Sequence, residues 1–319
     1  FTKQTMKIRI SVFTTLFVSF IASIMFISCN ENDTDNGTYG QQNGQANNTN
    51  SNILIPNYDT HRLEFPKTKG GKSIIITHKL KNGEVNYGVE WDAELKSNRW
   101  TCYELYSSNR KGGALRWKAK DGELQYPFDP LLPMDSYFVS DHFWGSGYDH
   151  GHLCPSADRL NTDEANKQTF YISNMQPQLS KFNGSDKRGG IWLTMENKMR
   201  SYITNGTTDT LFICRGGTID SPALIKEYRR DRFIIPGYFF SAALLKYKVK
   251  GQGDWQYKAI GFWFKHENNQ KQSLKPYVVS IAKLEQLTGI DFFCNLPDNI
   301  EKNVENKTPE QLELIWNIQ

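Results

Sequence analysis

Net charge is scarce in this sequence. The 319-residue chain carries only +4 at neutral pH, and Lys3, Lys7 and Arg9 supply three of those charges before any acid appears. The remainder is +1, so global charge gives no argument for a polyanionic partner. Cysteine is also sparse, at five residues, and none of the spacings is that of a zinc ribbon. No internal repeat is present, which sets aside a repeat architecture. Aromatic residues, at 13%, are plentiful and spread through the C-terminal two-thirds, which excludes a globally disordered chain.

The start of the chain differs from the rest. A basic segment precedes a mostly apolar run from Ile10 to Ile27, the pattern of an export signal over residues 1–28, with Met6 as the expected start. Phe26-Ile27-Ser28-Cys29 resembles a lipoprotein cleavage box, with Phe where Leu is usual, making Cys29 the expected lipidated residue. A plain signal peptide or an uncleaved anchor is the alternative. The acids Glu31, Asp33 and Asp35 resemble a surface-export tag. The expected location is therefore the cell envelope, by a lipid on Cys29, or the exterior. Residues 29–60 are rich in Asn, Gln and Gly, too polar to offset their ordering entropy, and are expected to be a flexible linker. Residues 61–319 form the expected domain.

Local charge is more informative than the total. From Lys96 to Lys120 seven basic residues face the single acid Glu104, and Lys226 to Arg232 holds four against two. Such clusters suit a polyanion or a solvated face equally well. The four remaining cysteines, Cys102, Cys154, Cys214 and Cys294, allow three pairings in an exported protein, and the sequence does not choose among them.

The fold class expected is α+β, with a mainly antiparallel central sheet and flanking helices. Ser73 to Leu80 and Val85 to Trp91 read as a hairpin around Asn82-Gly83. Further strands are expected at Leu211–Cys214, Phe233–Ile235, Phe239–Val249, Tyr257–Phe264 and Tyr277–Ile281. Thr308-Pro309-Glu310-Gln311 is a capping box opening a C-terminal helix through Trp316, and Ala282–Thr288 is a helix stopped by Gly289. A helix over Gly190–Ile203 sets Trp192, Met195, Met199 and Ile203 on one face, with Glu196 among them. An acid in an apolar stripe is costly unless paired or at its wet edge.

The densest chemistry lies in Tyr148-Asp149-His150-Gly151-His152-Leu153-Cys154. Three possibilities stay open on local grounds. His142, His150, His152 and Cys154 form a zinc site; Cys154 is a nucleophile with a histidine base; or one histidine is a general base beside a metal held elsewhere. Cys154 precedes Pro155 with no evident helix start to lower its pKa, which disfavours a thiolate.

The segments that follow add order. Ser173-Asn174-Met175-Gln176-Pro177-Gln178, then Phe182-Asn183, then Gly190-Ile191-Trp192-Leu193-Thr194-Met195-Glu196 succeed the histidine motif. Echoes continue at Ile235-Pro236-Gly237-Tyr238 and Leu287-Thr288-Gly289-Ile290-Asp291. This succession, from about Gly88 to Pro297, resembles the DNA/RNA non-specific endonucleases, the ββα-metal nucleases that include endonuclease G. The resemblance implies a ββα-metal active-site element and phosphodiester hydrolysis on DNA and RNA backbones without sequence choice. It implies His152 as general base, Asn183 as the direct ligand of Mg²⁺ (or Mn²⁺), Glu196 as the acid holding metal-bound water, and Asn174 as a supporting asparagine. Arg116, placed before Phe128-Asp129-Pro130, is assigned to the phosphate-contacting arginine.

Two departures stand out. His150 occupies a position where the family usually has arginine, and it is expected to hold phosphate only partly and with pH dependence. Gly184 to Gly189 lengthens the loop after Asn183, adding Lys187 and Arg188 as possible phosphate contacts. The expected function is an Mg²⁺-dependent endonuclease acting outside the cytoplasm. The alternative is a catalytically impaired, nucleic-acid-binding surface lipoprotein.

Overall fold

The structure is a computed structural model that describes residues 48–110, 112–186, 188–203, 209–230, 233–249, 251, 253–270 and 273–319. The expected signal, Cys29 and the first part of the expected linker lie outside the described residues, as does Lys187.

Among the described residues the first strands are β1 (Ser73–Lys79), β2 (Val85–Asp92) and β3 (Ser97–Leu105), followed by the single turn α1 (Ser107–Arg110). A long irregular stretch leads to β4 (Asp149–His152), α2 (Asp163–Gln168), β5 (Met175–Gln178), α3 (Ser180–Asn183) and α4 (Ile191–Arg200). Then come β6 (Thr210–Gly217), β7 (Ile225–Tyr228), β8 (Ile234–Pro236), β9 (Tyr238–Lys248), β10 (Trp255–Lys265) and β11 (Val278–Val279). Three helices close the chain: α5 (Ile281–Thr288), α6 (Asp298–Glu305) and α7 (Pro309–Ile315).

A seven-stranded sheet in the order β1-β2-β3-β6-β9-β10-β11 carries the domain, and its pairings are antiparallel. Alternate residues leave the sheet on opposite faces, and each face has its own core. Tyr103, Ile213, Ala243 and Ile260 pack with Trp192, Met195 and Met199 of α4 and with Trp316. Cys102, Cys214, Ala242 and Ala259 pack with Ile281 and Leu284 of α5 and with Val304 of α6. Burial on both sides explains why β6 and β9 read as apolar runs rather than as alternating ones.

The expected elements match in kind, with some differences at their ends. Gly216 and Gly217 do not stop β6 but continue it, pairing with Phe240 and Phe239. A side chain at Gly216 would meet the Phe240 ring and the Arg99 carbonyl, so the strand needs glycine there. The Tyr277–Ile281 run yields only the two-residue β11. The central strand β3 was not expected, because its charged and polar residues hide the period; Arg99 is buried in ion pairs with Asp92, Asp220 and Glu90. That basic residue therefore serves the interior, not a polyanion.

The expected flexible linker is corrected at its C-terminal end. Residues 48–60 are docked on the domain: Asn48 donates to the carbonyls of Cys294 and Leu296, and buried Asn52 donates to those of Thr60 and Pro66. Amide side chains that cannot form a core have instead satisfied buried backbone groups. The four described cysteines are buried free thiols, although Cys102 and Cys214 face each other across β3 and β6.

Candidate active site

The histidine motif folds as β4, paired antiparallel with β5 so that His150 faces Pro177 and His152 faces Met175. Residues two apart on a strand share a face, and both imidazoles line one cleft of about 890 Å³. Gly151 between them has a steric reason. A Cβ there would lie 2.4 Å from Cδ of Gln178 and 2.6 Å from the Gln176 carbonyl, so only glycine lets β5 approach.

His152 is partly exposed as a residue, yet its Nε2 is shut from bulk water and has no hydrogen-bond partner. Against the effect of burial, the His150 backbone acts to raise the ring's proton affinity. Phe170 holds the ring edge-on at 4.9 Å between centroids. Burial, reinforced by the Arg116 charge, lowers its pKa to about 3. At neutral pH the imidazole is therefore neutral and able to accept a proton.

Asn183 ends α3, and Gly184 follows in the left-handed region at φ 96°. Its Nδ2 donates to Asp149 Oδ2 at 3.1 Å. Asp149 also accepts from the hydroxyls of Ser180 and Ser185, so the strand bearing the histidines fixes the asparagine. This leaves the Asn183 Oδ1 without a protein partner among the described residues. Buried His266 sets the start of α3: its Nδ1 donates to the Pro236 carbonyl at 2.8 Å, and its Nε2 accepts from the Leu179 amide at 2.9 Å.

Glu196 projects from α4 into the same cleft. It is buried and paired, not a wet edge of the apolar stripe. Arg200 Nη2 donates to its Oε2 at 3.0 Å, and Arg215 Nη1 lies 3.8 Å from Oε1. Burial raises its pKa, against the pull of both arginines. Arg200 also bonds Asp158 and itself lines the cleft. The sequence reading missed Arg200; its signal was the four-residue spacing from Glu196 on one helix.

The other expected residues fall in different places. Arg116 is exposed on the cleft wall, its guanidinium 4.8 Å from the centre of the Phe170 ring. His150 is sandwiched between Tyr126 at 3.7 Å and Phe143 at 4.4 Å, with Nε2 2.9 Å from Asp141 Oδ2. Asn174 is fully buried and does not line the cleft; its amide bonds the backbones of Cys154 and Thr169. Arg188, in the lengthened loop, pairs with Asp186.

Two of the three local chemistries fail on this geometry. Cys154 is completely buried, and burial pushes its thiol up to about 12, so no thiolate is available. Among the described residues no three His, Cys, Asp or Glu side chains gather as a metal cluster, which removes the zinc site. What the site does offer a cation is hard oxygen: the Asn183 carboxamide, and Glu196 in the same cleft. So few protein donors suit an ion that keeps most of its water, as Mg²⁺ does.

Residues 72–299 match the family described as DNA/RNA non-specific endonuclease. The chain belongs to this family. Among the relatives of this chain, a nuclease of Nostoc is 27% identical over 230 residues, covering 69% of this chain and 76% of its own. Nuclease C1 of Cunninghamella echinulata is 25% identical, covering 66% and 81%. The mitochondrial nuclease EXOG of Xenopus laevis is 24% identical over 66% of this chain, which spans only 58% of that protein. A solved EndoG/EndoGI complex shares the fold at a TM-score of 0.56, with 16% identity over 75% of this chain and 94% of that one.

Proposed function

We propose that this member of the family hydrolyses phosphodiester bonds of DNA and RNA as an endonuclease, with His152 as general base and one divalent cation, Mg²⁺ or Mn²⁺, held by Asn183. The observation that carries the reading is the unpartnered Nε2 of His152, which shares a cleft with Asn183 and Glu196. Nε2 takes a proton from water; the water oxygen bonds to phosphorus as the bond to the 3′ oxygen breaks. The departing 3′ oxygen takes a proton from solvent water, so the products are a 5′-phosphate and a 3′-hydroxyl. When bound, the cation supplies positive charge to the phosphoryl oxygens. Arg116 and Arg200 add fixed positive charge along the cleft. Glu196, held by Arg200, orients water toward the Asn183 oxygen.

Purified protein with magnesium is expected to cut both plasmid DNA and RNA. Failure to cut either, or equal cutting by His152→Ala, overturns the proposal. For location, we propose export and lipid attachment at Cys29. Metabolic labelling with a radioactive fatty acid, expected to mark the wild type and not Cys29→Ser, tests it.

A further inference from the structure

Resting on that reading, we propose that the cleft takes an unpaired strand, with one base stacked on Trp144 and another against Trp117, on either side of His152. The support is a row of rings. Phe143 lies 4.4 Å from His150, His150 3.7 Å from Tyr126, Tyr126 6.0 Å from Phe170, and Phe170 5.2 Å from Trp117. His152 sits beside the middle of this row, 6.3 Å from Tyr126 and 4.9 Å from Phe170.

Each end of the row presents a tryptophan. Trp144 follows Phe143 and lines the catalytic cleft, yet it is 87% exposed. Its indole thus leaves an open π-face on the cleft wall, on which a base can stack. At the other end a second groove of about 420 Å³ is walled by Trp117, Phe128 and Tyr171 and shares Glu123 and Leu124 with the catalytic cleft. Lys167, 5.3 Å above the Trp117 ring and 3.9 Å from Glu123 Oε1, adds an ammonium at this end of the groove. The groove thus continues the path that a strand through the cleft would follow.

The chemistry selects the form of the substrate. In a duplex both faces of each base are covered by neighbours, and only an unstacked base offers a π-face to an indole. Stacking accepts every base, so it favours single strands without introducing sequence choice.

The test compares a single-stranded oligonucleotide with a duplex of the same sequence, cut by the full chain in magnesium. Wild type is expected to favour the single strand by about tenfold in kcat/KM. Trp144→Ala and Trp117→Ala are each expected to raise KM for the single strand severalfold, leave kcat within about twofold, and narrow the preference, with Trp144→Phe retaining it. Separately, the single strand should quench tryptophan emission of His152→Ala protein, less so once Trp144 is also replaced. Equal KM values for both substrates, unchanged in both tryptophan variants, overturn this inference while leaving the nuclease reading intact. No cleavage of either substrate overturns the nuclease reading, and the quenching titration still decides whether an unpaired strand binds. Quenching by duplex equal to that by single strand counts against the inference.

Discussion

Asn174 grips both backbone polar groups of Cys154: its Oδ1 accepts from the Cys154 amide and its Nδ2 donates to the Cys154 carbonyl, each at 2.9 Å. A third bond, to the Thr169 carbonyl at 2.8 Å, uses the remaining amide hydrogen. Cys154 lies two residues beyond His152, so this amide fixes the exit of the strand that carries His152. Asn174→Ala is expected to cost about 3 kcal/mol by leaving buried groups unpaired. Urea denaturation measures it; a cost under about 1 kcal/mol counts against the clamp.

His152 is expected to act through its lone pair rather than through stability. His152→Ala should lower kcat by about 10²- to 10⁴-fold while the folded protein persists by circular dichroism. Because burial lowers its pKa to about 3, the imidazole should stay neutral down to about pH 4. Nitrogen-15 chemical shifts of the ring would show this, and titration near the ordinary value of about 6.5 would refute it.

Asn183 is expected to govern metal dependence. Chelation should abolish cleavage while leaving the melting temperature of the sheet domain nearly unchanged, since no described core contact depends on a cation. Asn183→Ala should raise the magnesium concentration for half-maximal activity by about tenfold or more, because second-row waters alone would then hold the ion. An unchanged magnesium dependence would remove Asn183 as ligand.

His150 separates an active enzyme from an impaired binder. Its ring fills a slot between Tyr126 and Phe143 and pairs with Asp141, and a planar guanidinium can stack and pair in a similar way. His150→Arg is expected to cut nucleic acid within about tenfold of wild type. A wild type near zero, with a large gain in His150→Arg, would favour the binding protein instead.

Acid should loosen the helix that ends in Asn183 through His266. Burial lowers its pKa to about 4, whereas the unfolded chain protonates near 6.5. Between those values the unfolded state binds the extra proton, so stability falls as pH drops through that window. Protonated Nε2 also ceases to accept the Leu179 amide at the head of α3. Melting temperature should therefore decline from pH 6.5 toward pH 4, less steeply in His266→Gln; identical slopes would dismiss the link.

Some of this was legible from local pattern. The capping box at Thr308 and the apolar stripe of α4 each follow from short-range geometry, and each is present. The pairing of Glu196 was not legible, because one of its two arginines, Arg215, comes from β6, remote in the chain. Nor was the docking of Asn48 to Thr60, since Asn-rich composition reads as tether until buried carbonyls elsewhere claim the amides.

The sequence by itself determined the order of the motifs that resemble the family and the helix and strand periods around them, because such periods act over a few residues. Only tertiary structure decided which side chains became chemistry. Packing removed Cys154 and Asn174 from the cleft, left Nε2 of His152 without a partner, and brought Arg200 to the acid. The physical reason is that burial and pairing set proton affinity and availability, and both depend on neighbours far away in the chain.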